Sequence, residues 1–355
     1  MSIVKSAILF GNELSKLEVS KVTVCGFPHI EGNGAMAADP GSIFLYLWRP
    51  GDLLSKPDIV ARAAYIFMLL HEQDKLITNF DKLAQILNGK KVFMFNGEFA
   101  NWIRTNTGIK VDTSVEHPVE PIPDRIDLAV AAERIKAFTT PQITLWVSPS
   151  IRKNSLEGFF GCLDAIGAYR EPVTLNVVSN ISSGNLRDSL ELFHAPTNAD
   201  VREYPNPTYS TLYDIVSSSH IVVVPSIDEG YHLPIYEAAR FGCAVVCSDI
   251  PANRQARKRN PGVILVPVFS DGLVCGHPHE EISSSLPLGN VDYVELVSTL
   301  TESMAEFRSI AARMNEYMRK GHPRRQSWSL QENVVREAFG LVPRRSPGRA
   351  PVVYL

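Results

Sequence analysis

Two carboxylates, Glu229 and Glu237, stand eight residues apart on either side of the segment Gly230-Tyr231-His232-Leu233-Pro234. A carboxylate presents two oxygens that accept hydrogen bonds, so such a pair can hold hydroxyl groups of a ligand. The backbone amides from Gly230 to Leu233 lie just before Pro234, a residue favoured at the first position of a helix. Amides at a helix N-terminus suit an anionic group, because they point at it and the helix dipole favours negative charge. Taken alone, the spacing also fits a solvated turn residue followed by a helix-start acid.

The flanking residues say how this loop must be held. His220 to Val224 is an apolar run with the character of a buried strand, ending at Pro225-Ser226. After the turn Ile227-Asp228-Glu229-Gly230, a helix is expected over Ile235 to Phe241, with Glu237 in its first turn and Gly242 just past its end. A second buried strand is expected over Cys243 to Cys247. Strand, helix and strand in this order make a right-handed βαβ unit of a parallel sheet. Ligands of such sheets bind beyond the carboxyl ends of the strands, where Glu229 to Leu233 should lie.

The segment resembles the C-terminal signature of retaining GT-B glycosyltransferases, above all family 4, which reads roughly P-S-x-x-E-G-F-G-L-P-x-x-E-A-x-A-x-G-x-P-V-V. Pro225, Ser226, Glu229, Gly230, Leu233, Pro234, Glu237, Ala238, Gly242, Val245 and Val246 match it in order. The resemblance implies an α/β protein of GT-B fold, two Rossmann-like domains facing across a cleft. It implies transfer of a sugar from a nucleoside diphosphate sugar, UDP- or GDP-linked, with retention at the anomeric carbon and with no metal or other cofactor. Glu237 would accept from the ribose hydroxyls and Glu229 would hold hydroxyls of the transferred sugar. Ser226, Gly230, Tyr231 and Leu233 would line the donor site. His232 replaces a small residue of the signature, and would either touch or narrow the sugar pocket or turn to solvent.

Residues 143 to 166 resemble the first strand and helix of the family's nucleotide-binding domain. Arg152 falls on its phosphate-binding arginine, whereas the family lysine is Glu157 here and its first glycine is Ile151. Lys153, one position along, would then share the diphosphate charge with Arg152, with Glu157 turned away. A solvated basic loop is the plainer reading of the pair. Strands are further expected over 173 to 178 and 263 to 266, and a helix containing Leu212 and Tyr213. Pro205 to Tyr209 would border the base, where Tyr209 either stacks or packs.

The first part of the chain carries fewer signals. Strands are expected over Val22 to Gly26, Ile43 to Trp48 and Val92 to Phe95, with a long helical region from Lys56 to Leu87. His71 would lie on that helix as a satisfied core histidine; His29 and His117 are the other candidates for a histidine near the sugar. Gly32 and Gly34 follow the first strand, where the family places a glycine-rich loop against the donor phosphates, though an ordinary turn also fits. Residues 95 to 109 resemble the family's strand-to-helix S-E-x-x-x-x-W-L segment. The prolines of 117 to 128 suit an extended hinge.

Ser327 and Trp328 resemble the family's C-terminal S-W-x-x-x-A helix, and the resemblance implies a reduced N-terminal domain (1–127), a nucleotide-sugar domain (128–325), a helix returning to the first domain (326–342) and a basic tail (343–355). A length of 355 residues, 45% hydrophobic and 21% charged, suits a two-domain globular enzyme, and a net charge of −3 selects no partner. No integral membrane segment or signal peptide is expected, and the five cysteines read as reduced core residues, so the expected compartment is cytoplasmic. The Cys275-His277-His279-Glu280 group matches no standard zinc spacing. The acceptor is open: glycan, lipid-linked, small molecule or nucleic acid. Two rivals stand beside this reading. One is a catalytically silent GT-B binding or regulatory protein, favoured by Glu157 and the reduced first domain. The other is a glycosyltransferase acting on modified bases of nucleic acid, favoured by the basic end and the run at 254 to 259.

Overall fold

Side chains along a strand alternate between two faces, and the apolar residues here obey that period. Ile66 and Met68 join one buried cluster while Phe67 joins another. Val92 and Met94 part from Phe93 in the same way, and Val223 from Val222 and Val224. Strands apolar on both faces are those of parallel sheets covered by helices on each side. The computed structural model describes residues 23–26, 43–71, 73–114, 137, 139–148, 150–179, 195–269 and 290–319.

The first sheet holds β1 (Thr23–Gly26), β2 (Ile43–Trp48), β3 (Ala63–Met68), β4 (Lys91–Met94) and β5 (Thr113–Ser114), all parallel and in sequence order. Its helices are α1 (Pro50–Ser55), α2 (Pro57–Arg62), α3 (Asp74–Ile77), α4 (Phe80–Leu87) and α5 (Gly97–Asn106). Leu53, Val60, Leu83 and Phe99 carry four of these helices into the core around Trp48, which is fully buried.

The second sheet holds β6 (Gln142–Val147), β7 (Val173–Ser179), β8 (Ala199–Pro205), β9 (Ile221–Val224), β10 (Ala244–Ser248) and β11 (Val263–Val266). Its order is β11-β10-β9-β6-β7-β8, again parallel throughout. A short antiparallel pair, β12 (Val268–Phe269) and β13 (Asn290–Val291), follows. The helices are α6 (Ser155–Tyr169), α7 (Tyr209–Ser218), α8 (Leu233–Arg240), α9 (Pro251–Arg259), α10 (Tyr293–Ala305) and α11 (Phe307–Arg319). The expected βαβ unit is therefore present as β9-α8-β10. Pro234 stands in the first turn of α8, and Gly242 takes φ +79° just beyond its end. Gly158 lets α6 lie against the chain leaving β9, since a Cβ there would overlap Pro225.

Three expectations need correction. Residues 56 to 87 are not one helical region: α2 ends at Arg62 and Ala63–Met68 forms β3, the middle strand of its sheet. Aromatic and β-branched residues buried on both sides favour a strand, and pairing with β2 and β4 satisfies its backbone. His71 consequently lies in the loop after β3 rather than on a helix. Glu237 is the fifth residue of α8, past its first turn, because the helix begins at Leu233. Gly32, Gly34, His29, His117, the hinge stretch 117–128, the 275–280 cluster, residues 326–342 and the tail all lie outside the described residues.

The two sheets meet along α9 and α5. Gln255 accepts from the Gly97 amide (2.9 Å) and donates to the Phe95 carbonyl (3.0 Å), while Arg254 (3.2 Å) and Lys258 (3.6 Å) reach the Glu98 carboxylate. Arg257 donates to the Val263 carbonyl. Part of the basic run at 254 to 259 thus has partners within the chain, while Arg257 and Lys258 stay exposed. No helix among the described residues is long and apolar enough to cross a membrane. Cys162, Cys243 and Cys247 are buried and free, and burial pushes the Cys162 thiol up to about 12. Replacing Gln255 by Ala would leave a backbone donor and a backbone acceptor unpaired at this junction. We expect a loss of about 1–3 kcal/mol, read as a lower urea midpoint than that of an exposed control such as Lys110→Ala.

Candidate functional site

The strand order of the second sheet reverses between β6 and β9: the chain moves outward through β7 and β8 on one side and through β10 and β11 on the other. Such a reversal opens a crevice above the carboxyl ends of the two central strands, the usual ligand position in an open α/β sheet. The expected residues gather there. Arg152 and Lys153 leave β6 on a single 3-10 turn (Ile151–Lys153), and Asp228 and Glu229 follow β9. The Ile227 amide donates to the Arg152 carbonyl at 2.8 Å, tying the two loops together. Asn154 takes a left-handed conformation (φ +48°), which Asn tolerates better than most residues, and precedes α6, its carbonyl accepting from the Gly158 amide at 3.1 Å.

Lys153 Nζ pairs with Glu229 Oε1, and Arg152 Nη1 lies 3.8 Å from Asp228 Oδ2. Asp228 is completely buried. From the other sheet His71 reaches across: its Nδ1 is 3.2 Å from Arg152 Nη1 and 3.7 Å from Asp228 Oδ2. A guanidinium only donates, so His71 Nδ1 is the acceptor and the proton sits on Nε2. Asp74 holds this loop in place by accepting from the His71 amide (2.8 Å) and pairing with Arg49. Burial alone would raise the Glu229 carboxyl, but the paired Lys153 ammonium outweighs it and holds the group at about 2.

His232 turns neither to solvent nor freely into a pocket; it is 1% exposed. Its Nδ1 bonds Asn253 Oδ1 at 2.8 Å and its Nε2 lies 3.7 Å from Glu229 Oε1. Burial pushes this imidazole below its ordinary value, against the pull of Glu229 and helped by the Lys153 charge. Glu237 is buried on α8 and Ser226 beside the same crevice. The Tyr231 ring stacks on Tyr236 (4.7 Å, 4°) and meets Phe95 of the first sheet edge-on at 6.3 Å. Gly230 is pressed onto the chain leaving β3: a Cβ there would come within 2.5 Å of Leu69 Cδ1 and 2.8 Å of the Leu70 carbonyl oxygen. Leu233 opens α8 and belongs to the same apolar cluster. Tyr209, at the start of α7, is half-buried and packs on that cluster near Tyr213. Glu157 sits in the first turn of α6 and joins no ion pair among the described residues. Asp228, Asn253 and the engagement of His71 escaped the sequence reading. Asp228 alone had a local signal, as a second acid beside Glu229. No group of three or more His, Cys, Asp or Glu among the described residues could hold a metal ion.

Residues 151–273, a span that contains this whole second-sheet part of the site, match the family model described as glycosyl transferases group 1. The whole fold is similar to solved GT-B structures. An alpha,alpha-trehalose-phosphate synthase (UDP-forming) from Burkholderia vietnamiensis superposes with TM-score 0.55 at 12% identity over 86% of this chain and 73% of that one. WaaG, a glycosyltransferase involved in lipopolysaccharide biosynthesis, gives 0.55 at 11% identity over 93% and 81%. The E. coli trehalose-6-phosphate structure bound with UDP-2-fluoro glucose gives 0.52 at 14% identity over 96% and 78%. A comparison with curated protein sequences returns no match. The architecture is α/β and GT-B: two parallel, Rossmann-like sheets with their carboxyl ends turned to a common crevice.

The Glu229 carboxyl lies below its ordinary value, so its pairing stabilises the fold fully above about pH 4.3, the unfolded carboxylate value, and loses that effect as pH falls toward 2. The stability difference between wild type and Lys153→Met should therefore be constant from pH 7 to 5 and shrink below that. Urea midpoints taken at several pH values check this; a difference independent of pH would mean that the pair is not ionic.

Proposed function

We propose that this chain is a glycosyltransferase that moves a sugar from a nucleoside diphosphate sugar to an acceptor, with retention and without a metal. The observation that carries the reading is the pairing of Lys153 with Glu229 across the β6/β9 crevice, inside the segment that matches the glycosyl transferases group 1 model. A cation for the diphosphate and a carboxylate for the sugar already stand side by side there. The donor would bring its own anion to Arg152 and Lys153 and its hydroxyls to Glu229, so each charge exchanges one partner for another. Glu237 on α8 takes the ribose hydroxyls, the amides of Gly230 to His232 face the diphosphate while that of Leu233 donates to the Tyr231 carbonyl (3.1 Å), and Tyr209 borders the base. A neighbour of this fold is bound with UDP-2-fluoro glucose, which supports a UDP-linked donor; GDP remains the alternative.

In this reading the bond from the anomeric carbon to the diphosphate breaks as the acceptor oxygen approaches on the same face. The departing diphosphate takes the acceptor proton. Arg152, Lys153 and the helix amides neutralise the charge that develops on it, and positioning supplies the rest. Gly32 and Gly34 would face the phosphates from the first domain. The domain limits given above and a reduced, cytoplasmic setting belong to the same proposal. A silent GT-B binding protein is the second reading, favoured by Glu157 in place of the family's lysine.

Binding to the native state alone adds about 2.7 kcal/mol of stability at a hundredfold excess over Kd. We expect UDP or GDP at millimolar concentration to raise the melting temperature without added divalent metal. Glu237→Ala should weaken nucleotide binding by roughly 1.5–3 kcal/mol, while Glu229→Ala should chiefly reduce transfer. No shift with either diphosphate speaks against any donor site. A shift without transfer to any acceptor favours the silent protein.

A further inference from the structure

Asn253 Nδ2 donates to the Ser248 carbonyl oxygen at 2.7 Å. A carbonyl only accepts, so this end of the amide must be the nitrogen, and Oδ1 is the atom turned to His232 Nδ1 at 2.8 Å. Oδ1 in turn only accepts. The imidazole proton is therefore on Nδ1, and in the neutral ring Nε2 carries a bare lone pair. That nitrogen is buried and has no hydrogen-bond partner among the described residues. Opposite it, at 3.7 Å, is Glu229 Oε1, which is also an acceptor. Two acceptors thus face each other in the crevice where the loop from β9 enters α8: His232 Nε2 has no donor among the described residues, and Glu229 Oε1 accepts its hydrogen bond from Lys153.

Adjacent hydroxyls on a sugar ring match this arrangement, because each can donate one proton to one acceptor. We propose that His232 is a specificity-determining residue of the donor site: its Nε2 accepts from the sugar hydroxyl next to the one that Glu229 holds. Asn253 is the positioning residue that fixes the tautomer through Ser248. The proposal rests on the donor-site reading above. The signature pattern has glycine at the place of His232, so this contact is a feature of the present chain. Lys153 lies on Glu229 in this state. A diphosphate that draws the ammonium to itself uncovers both acceptors together, which links sugar recognition to phosphate binding.

Isothermal titration of the full chain with UDP and with UDP-glucose, and with GDP and GDP-mannose in parallel, tests this. The quantity read is the ratio of Kd for the bare diphosphate to Kd for its sugar, which isolates the sugar's contribution. His232→Leu and Asn253→Ala should lower that ratio about fivefold, the worth of one hydrogen bond between neutral partners, with the bare diphosphate bound as before. His232→Gln, which keeps an acceptor, should restore part of it. Nitrogen spectra of histidine-labelled wild type should show a protonated Nδ1 and a bare Nε2 for His232, and the Nε2 signal should move when the sugar nucleotide is added. Asn253→Ala should mix the two tautomers. An unchanged ratio in the variants, an equal loss for diphosphate and sugar nucleotide, or a protonated Nε2 in the wild type would overturn the proposal. Absence of binding by the wild type to all four probes would remove the donor site and this proposal with it; binding with an unchanged ratio would remove only the role of His232.

Discussion

From β6 and β9 the chain crosses over to opposite sides of the sheet, so the two connections part at the carboxyl ends of these strands. Four charged residues, Arg152, Lys153, Asp228 and Glu229, are delivered into that space. Buried charge is costly unless opposite charge and hydrogen bonds surround it. Each loop therefore brings what the other lacks: two cations from the β6 side and two carboxylates from the β9 side. The rest of the site is arranged around this compensation, with His71 seated on Arg152 from the first sheet and His232 facing Glu229 from the start of α8.

Such a cluster needs a rigid frame, because ion-pair geometry decides whether burial of charge is tolerated. The frame is apolar. Phe95, Tyr231 and Tyr236 form a line of rings from the end of β4 to α8, and Gly230 allows the β9 loop to lie directly on Leu69 and Leu70. A side chain at Gly230 would push the loop away from the first sheet and would move Glu229 with it. On the outer side, Gln255 and Arg254 fasten α9 to the N-terminus of α5. The crevice is thus bounded by packing on one side and by hydrogen bonds on the other, and its floor by the strand ends.

A self-paired site also has a functional meaning under the proposed reaction. An anionic donor entering a crevice of bare cations would gain most, but such a crevice would be unstable without it. Pairing Lys153 with Glu229 removes that penalty and leaves both groups beside the positions where a diphosphate and a sugar would lie. The exchange then depends on the donor offering both partners at once, an anion for the lysine and hydroxyls for the carboxylate. A nucleotide that lacks the sugar would leave Glu229 without a replacement for its cation.

Much of the second sheet was legible in the residues. Continuous apolar runs marked β6, β7, β9, β10 and β11, Pro234 and Gly242 bracketed α8, and the order of Glu229, Gly230, Leu233, Pro234 and Glu237 singled out the loop between β9 and α8. These signals are local, because strand periodicity and helix termini are written in neighbouring residues. β3 was not legible, since an apolar stretch between helical segments satisfies either pattern until pairing with β2 and β4 selects the strand. The placing of His71 on Arg152, the choice of Asn253 as partner of His232, and the burial of Asp228 were decided only in three dimensions. Each joins residues far apart in the chain or in different sheets, and no local spacing encodes which charge will meet which across a crevice. The sequence by itself determined which residues could do chemistry; the tertiary structure decided their partners, because compensation of buried charge is a property of the assembled loops.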